Sequence, residues 1–143
     1  MHYCESLFLA EKLPPGPLKI ADIGSGAGFP GIPVAIARPE LSVDLIEAHQ
    51  RKAVFLRESS RELRNVRVIP QRGEDLTSRY EWVISRGVRP VDVVKLGIAA
   101  DFALLVGEDE ASIFSGDRLR LPWGGRRFLV KFHVEHQAEH AIR

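Results

Sequence analysis

Residues Asp22-Ile23-Gly24-Ser25-Gly26-Ala27-Gly28-Phe29-Pro30-Gly31 set one carboxylate and four glycines between an apolar run, Leu18 to Ile23, and a helically spaced one, Ile32, Ala35 and Ile36. A strand, a glycine turn and a helix in that order form a nucleotide-cradling unit. Glycine permits the tight turn and the close approach of a ligand to the backbone, and the helix N-terminus lies beside the ligand.

Two registers overlap in this turn. Gly26-Ala27-Gly28-Phe29-Pro30-Gly31 fits the dinucleotide pattern G-x-G-x-x-G. Asp22 through Gly28 fits the acidic-x-G-x-G-x-G pattern of S-adenosylmethionine-dependent methyltransferases. Charge separates them. A carboxylate at Asp22 would repel a pyrophosphate, whereas it helps to hold the ammonium of a methionine moiety, directly or through water. Pro30 and Pro33 also lack the amide donors that a pyrophosphate would use. The expected cofactor is therefore S-adenosyl-L-methionine, with Asp22, Gly24 and Gly26 in its binding turn. A Rossmann NAD-binding oxidoreductase is the competing enzyme class. Glu47 ends the next apolar run at the spacing from which a carboxylate accepts ribose hydroxyls, a feature both classes share. Glu74-Asp75 supplies carboxylates for an adenine amino group, or is simply solvated.

Methyl transfer from a sulfonium is an in-line displacement governed by positioning and desolvation. No Asn/Asp-Pro-Pro-aromatic loop is present to grip an exocyclic amine, and Cys4 lies outside any active-site loop, which argues against cytosine carbon methylation. A guanine N7 already offers a lone pair and needs no general base. Ser85-Arg86 follows a strand at the edge where open α/β sheets bind ligands. Arg86 offers its guanidinium to a methionine carboxylate, a phosphate or a guanine edge, or is an ordinary surface arginine. Two basic groups are candidate RNA contacts: Arg51, Lys52, Arg57, Arg61 and Arg64, and Arg118, Arg120, Arg126, Arg127 and Lys131. Glu58 and Glu62 interrupt the first, which also reads as an ordinary solvated face. His133, His136 and His140 read as solvated tail histidines beside Glu135 and Glu139, so no metal is expected. Trp82 and Trp123 offer stacking surfaces; Trp82 reads as core.

The elements that must position these residues alternate. Helix is expected from Ser6 to Leu13, then strand from Leu18, helix over Gly31 to Ala37, and strand over Ser42 to Glu47. An amphipathic helix follows, Gln50 to Leu63, with Val54, Phe55 and Leu63 turned inward. Strands are expected at Val66 to Pro70 and Trp82 to Ser85, a helix from Pro90 running to Leu105, and a short fifth strand over Ser112 to Phe114. Leu119 to Leu121 and Arg127 to His133 flank Pro122-Trp123-Gly124-Gly125 as a closing hairpin. This order implies an α/β fold with a mainly parallel sheet and an antiparallel C-terminal edge, a class I methyltransferase (Rossmann-like) arrangement. The 143 residues suit one domain, 1–143; with 45% hydrophobic and 27% charged residues and a net charge of +1, composition excludes a strongly polyanion-seeking chain. The single cysteine excludes an internal disulfide and a cysteine-based zinc site, and no apolar run spans a bilayer. A cytoplasmic setting with no membrane partner is expected.

The stretch Asp22 to Pro33, above all Gly-Phe-Pro-Gly-Ile-Pro, resembles the bacterial RsmG (GidB) family. Arg38-Pro39-Glu40, Glu47 with Arg51 to Leu56, Asn65-Val66, Arg72-Gly73-Glu74-Asp75, Ile84-Ser85-Arg86 and Arg127 to Val130 continue the resemblance. His2 through Leu7 is similar to the family's His-x-x-Asp-Ser-Leu, with Glu5 in place of aspartate. The resemblance implies methyl transfer to N7 of a guanosine in 16S ribosomal RNA or the small ribosomal subunit. It further implies that Gly24, Phe29, Gly73, Glu74 and Arg86 line the cofactor site, with Glu47 at the ribose and Arg86, near the reacting centre, as the expected catalytic residue. The helical segment that usually precedes the His-x-x-Asp-Ser-Leu stretch is missing from the sequence, and the region from Ala111 to Gly125 is short. A cofactor-binding chain without activity is accordingly the second alternative.

Overall fold

A computed structural model describes residues 2–112, 116–123 and 125–135. One seven-stranded sheet runs in the order β3-β2-β1-β4-β5-β7-β6. Its strands are β1 (Lys19–Ile23), β2 (Ser42–Ile46), β3 (Val66–Ile69), β4 (Trp82–Arg86), β5 (Asp101–Gly107), β6 (Asp117–Arg120) and β7 (Arg127–His133). The first five are parallel, and β7 inserts antiparallel between β5 and β6. The expected parallel sheet with an antiparallel C-terminal edge is therefore the fold. Strand order reverses between β1 and β4, so a crevice opens outside the carboxyl ends of those two strands, where open α/β sheets take their ligands.

Adjacent residues on the central strands point to opposite faces, and both faces are covered, so the strands are apolar almost throughout. Ile20, Leu45, Ile84 and Leu105 pack on one side with α1 (His2–Lys12), α2 (Gly31–Ala37) and Leu56 of α3 (Gln50–Ser59). Ala21, Ile46, Val83 and Leu104 pack on the other with Val93 of α4 (Pro90–Lys95), Ile98 and Ala99. Pro14 and Pro15 cannot continue α1. Its terminal carbonyls are taken up instead by the Arg38 guanidinium, which donates to Ala10, Leu13 and Pro14. That bond set ties α1 to the end of α2.

Three expectations are corrected. The helix from Pro90 stops at Lys95, followed by Gly97 with φ of +65°, and 101–107 is a buried central strand rather than a helical continuation. Phe102-Ala-Leu-Leu-Val106 is apolar at every position, and such a run carries no periodicity to tell strand from helix. The strand expected over Ser112 to Phe114 is displaced by this one: Glu108–Ala111 forms a short helix, α5, Ser112 is in the turn after it, and 113–114 lie outside the described residues. Third, α3 ends at Ser59, and Val54 and Phe55 point outward, 55% and 52% exposed; Ala53 and Leu56 are the inward positions, and Leu63 is half-buried beyond the helix. The hairpin partners and the helix Gly31–Ala37 fall where expected; Gly124, within the hairpin loop, is outside the described residues. Trp82 is half-buried against the core.

Candidate functional site

The turn after β1 is built by its own amides. Gly24 and Ser25 both donate to the Ile46 carbonyl, Gly28 donates to the Ser25 carbonyl, and Ile32 donates to that of Gly28. The Gly26 amide donates to Glu47 Oε1 at 2.8 Å, and the Gly31 amide to Asp22 Oδ2 at 2.8 Å. Gly24, Gly26 and Gly28 carry positive φ (66°, 56° and 99°), which side chains rarely adopt. A phosphate-cradling loop must leave such amides pointing at the ligand. Here the amides of Gly24, Ser25, Gly26, Gly28 and Gly31 are engaged inside the protein, and Asp22 occupies the anion position at the start of α2.

Asp22 is fully buried beneath the turn, not on the face a ligand would meet. Its Oδ1 has no hydrogen-bond partner among the described residues. Burial pushes its carboxyl up to about 7 against the opposing pull of the Gly31 amide and the Ser25 hydroxyl, with the nearby Glu47 charge adding to the rise. The ammonium contact expected of Asp22 is therefore not a direct one.

Above the turn lies an open cleft of about 350 Å³ whose lining includes Gly24, Glu47, Gln71, Gly73, Glu74 and Val88. These positions follow β1, β2, β3 and β4, at the carboxyl edge of the sheet. Glu47 is only 8% exposed; besides Gly26, its Oε2 accepts the His49 amide at 2.9 Å. Two backbone donors thus fix the carboxylate while it keeps acceptor sites toward the cleft. Glu74 is exposed at the opposite rim, in a short 3₁₀ turn, Gly73–Asp75. A side chain on Gly73 would run into Leu96, so glycine there lets this turn pack on the end of α4.

Of the expected cofactor residues, the structure brings Gly24, Glu47, Gly73 and Glu74 together on the cleft. Asp22 and Gly26 shape the turn from below. Phe29 and Arg86 belong to a second cluster under α1: the Phe29 ring meets the His2 ring edge-on at 5.7 Å, and Arg86 Nε donates to Glu5 Oε1 at 3.1 Å. Arg127 reaches the same carboxylate, 3.3 Å from Oε2. Glu5, 1% exposed, is thus held between two guanidiniums and ties α1 to the ends of β4 and β7. In the sequence Glu5 stands out only as a replacement for aspartate; nothing in local spacing shows that residues 5, 86 and 127 meet. Gln71 and Val88 line the cleft without having been expected there, although each sits just past a strand end. Among the described residues no group of three or more metal-ligating side chains occurs; His133 pairs with Asp101, and His136 and His140 lie outside them. No helix among those residues is long and apolar enough to cross a membrane.

The fold is shared with known proteins. The structure superposes on a SAM-dependent methyltransferase from Aquifex aeolicus with a TM-score of 0.72, 13% identity, and coverage of 92% of this chain and 90% of that one. TrmK from M. capricolum, in complex with S-adenosyl-homocysteine, gives a TM-score of 0.68 at 8% identity, covering 90% and 67%. At such identities the likeness is one of fold. In sequence, the chain is 46% identical over 101 residues to the ribosomal RNA small subunit methyltransferase G of Nitrosospira multiformis, covering 67% of this chain and 46% of the relative. It is 46% identical over 102 residues to the enzyme of the same name from Mycobacterium leprae (strain TN), covering 70% and 39%. The chain thus spans less than half the length of these curated relatives. The model of the GidB family, described as rRNA small subunit methyltransferase G, matches residues 1–102, and the chain belongs to that family.

Proposed function

We propose that the chain binds S-adenosyl-L-methionine in the crevice between β1 and β4 and transfers its methyl group to N7 of a guanosine in 16S ribosomal RNA. The observation that carries the cofactor reading is the turn itself: its amides are engaged internally, two of them by the protein's own carboxyl groups, Asp22 and Glu47. That chemistry suits a nucleoside joined to a sulfonium and disfavours a pyrophosphate. The size of the cleft, about 350 Å³, lies in the range of small-ligand sites.

When bound, the cofactor supplies an electrophilic methyl group on sulfur. Glu47 accepts the ribose hydroxyls with the oxygens that Gly26 and His49 hold in place. Glu74 accepts from the adenine amino group. Gly24 would let the ligand lie against the backbone, Gly73 packs the Glu74 turn on Leu96, and Asp22 and Gly26 hold the glycine turn in shape. Phe29 and Arg86 stand at the α1 side, against His2 and Glu5, and Arg86 would meet the guanine from there. No general base is required, because N7 carries a lone pair at neutral pH, and the whole chain, 1–143, acts as one domain in the cytoplasm. The names of the relatives and the description of the family support the ribosomal RNA substrate. Calorimetric titration with S-adenosylhomocysteine and with NAD tests the cofactor, and binding of NAD alone overturns it. Mass mapping of nuclease fragments of small-subunit RNA after incubation with S-adenosylmethionine tests the substrate, and a fragment set with no added methyl overturns it.

A further inference from the structure

The two basic groups, alike in sequence, differ in the fold. Near β6 and β7 the cations are engaged: Arg127 by Glu5, Arg126 at 3.5 Å from Glu108, Arg118 and Lys131 on the carbonyls of Ala111 and Lys12, and Arg120 over the Phe128 ring. Along α3 and its exit, Arg51, Lys52, Arg57, Arg61 and Arg64 are all exposed. Among the described residues only Arg61 has an acidic partner, Glu58 at 3.7 Å.

Gln50, Val54 and Arg57 recur at i, i+4 and i+7, so they share one flank of α3. That flank turns toward Pro70 at the end of the edge strand β3. Together with Arg51 and Ala53 these residues line a groove of about 400 Å³ with apolar walls and two guanidiniums at its rim. Val54 is more than half exposed there, and Phe55 is equally exposed one position on. The groove adjoins the cofactor cleft on both sides, because Ala48 and Gln71, which line the cleft, lie within two residues of Gln50 and Pro70.

We propose that this groove docks an unpaired stretch of the substrate RNA, with bases against Val54 and Pro70 and phosphates on Arg51 and Arg57. The inference rests on the reading of the chain as an RNA methyltransferase and adds where the RNA lies. An unpaired strand offers apolar base faces and regularly spaced phosphates together, the combination that apolar walls rimmed by arginine complement. A duplex hides its base faces and would engage only the rim. Of the other basic group, Arg127 and Lys131 are half-buried and tied into the fold, whereas Arg118, Arg120 and Arg126 are exposed.

Fluorescence anisotropy of the full chain with a labelled single-stranded RNA of roughly 20 nucleotides tests this. The R51E/R57E double variant is expected to bind at least about tenfold more weakly, with the slope of log affinity against log salt reduced by about 1.4, two phosphate contacts on a single strand. K95E, a charge reversal on the exposed face of α4, is the control and is expected to bind as the wild type does. Equal binding by the double variant, or equal loss in K95E, overturns the inference. Calorimetry with S-adenosylhomocysteine on the same samples separates the two levels: retained cofactor binding with RNA binding unaffected by R51E/R57E removes the groove alone, whereas loss of cofactor binding in the wild type removes the parent reading.

Discussion

The carboxylate of Asp22, at the end of β1's buried run, accepts the amide of Gly31, the first residue of α2, at 2.8 Å. One buried acid therefore closes the glycine turn and caps the helix that follows it. Its pH behaviour follows from burial. In the folded chain the carboxyl keeps its proton up to about 7, whereas the unfolded chain releases it near 3.8. Between those values the folded state binds more protons, so stability falls as pH rises through the window and levels off above it.

D22N removes that titration. Urea unfolding at pH 5.5 and pH 8 is expected to show the wild type losing about 2 kcal/mol more than the variant across this interval. His133, whose ring is raised by its bond to Asp101, loses stability in the same direction but is present in both proteins and cancels in the comparison. Parallel pH profiles for the two proteins would show that Asp22 is ionised throughout.

Gly31 is required for space rather than for backbone freedom. A Cβ at this position meets the Leu45 side chain and the Asp22 carboxylate, both buried. G31A is expected to cost about 1–3 kcal/mol, as overpacking in a rigid core does. Gly107, where an added Cβ meets nothing within 4 Å among the described residues, is the control. Thermal unfolding that ranks G107A below G31A in stability would remove this account of the turn.

How much of this was legible before folding depends on the distance over which each residue acts. The turn from Asp22 to Gly28 and the helix Gly31–Ala37 are local, set by glycines, prolines and helical spacing within twelve residues, and both stand where the sequence places them. The strand Asp101–Gly107 was misread because a run buried on both faces loses its alternation. Val54 and Phe55 were assigned inward because apolar residues on an amphipathic helix normally are; here Ala53 and Leu56 make the contact. The site shows the same division. Glu47 and Glu74 follow strand ends and line the cleft, whereas the bond from Asp22 to an amide nine residues away has no signal in the local spacing. The Glu5–Arg86–Arg127 cluster joins three distant segments and has no local signature at all.

That cluster separates a structural role from a catalytic one. In R86A, Glu5 keeps Arg127, so the fold is expected to persist with S-adenosylhomocysteine binding retained, while methyl transfer to small-subunit RNA is abolished. In E5A two guanidiniums face each other without a counter-charge, and a loss of about 3 kcal/mol is expected, as when one partner of a buried ion pair is removed. E5D should recover most of it. Full turnover in R86A would take Arg86 out of the mechanism, and an E5A protein as stable as the wild type would reduce the cluster to a surface contact.

Glu47 gives the sharpest test of the cleft, because its two oxygens are each fixed by a backbone donor, Gly26 and His49. E47Q keeps one acceptor but turns an amide NH₂ toward the other N–H, so the side chain must rotate away from its held position. Loss of a charged acceptor for a ribose hydroxyl is worth about 1.5–3 kcal/mol, a weakening of S-adenosylhomocysteine binding by roughly 10- to 100-fold. The 2′-deoxy form of the ligand should bind the wild type more weakly than its parent, and E47Q should discriminate little between the two. Such non-additivity is the signature of a direct contact. If E47Q loses affinity equally for both ligands relative to the wild type, Glu47 acts only by holding the Gly26 turn, and the ribose must be bound from elsewhere on the rim.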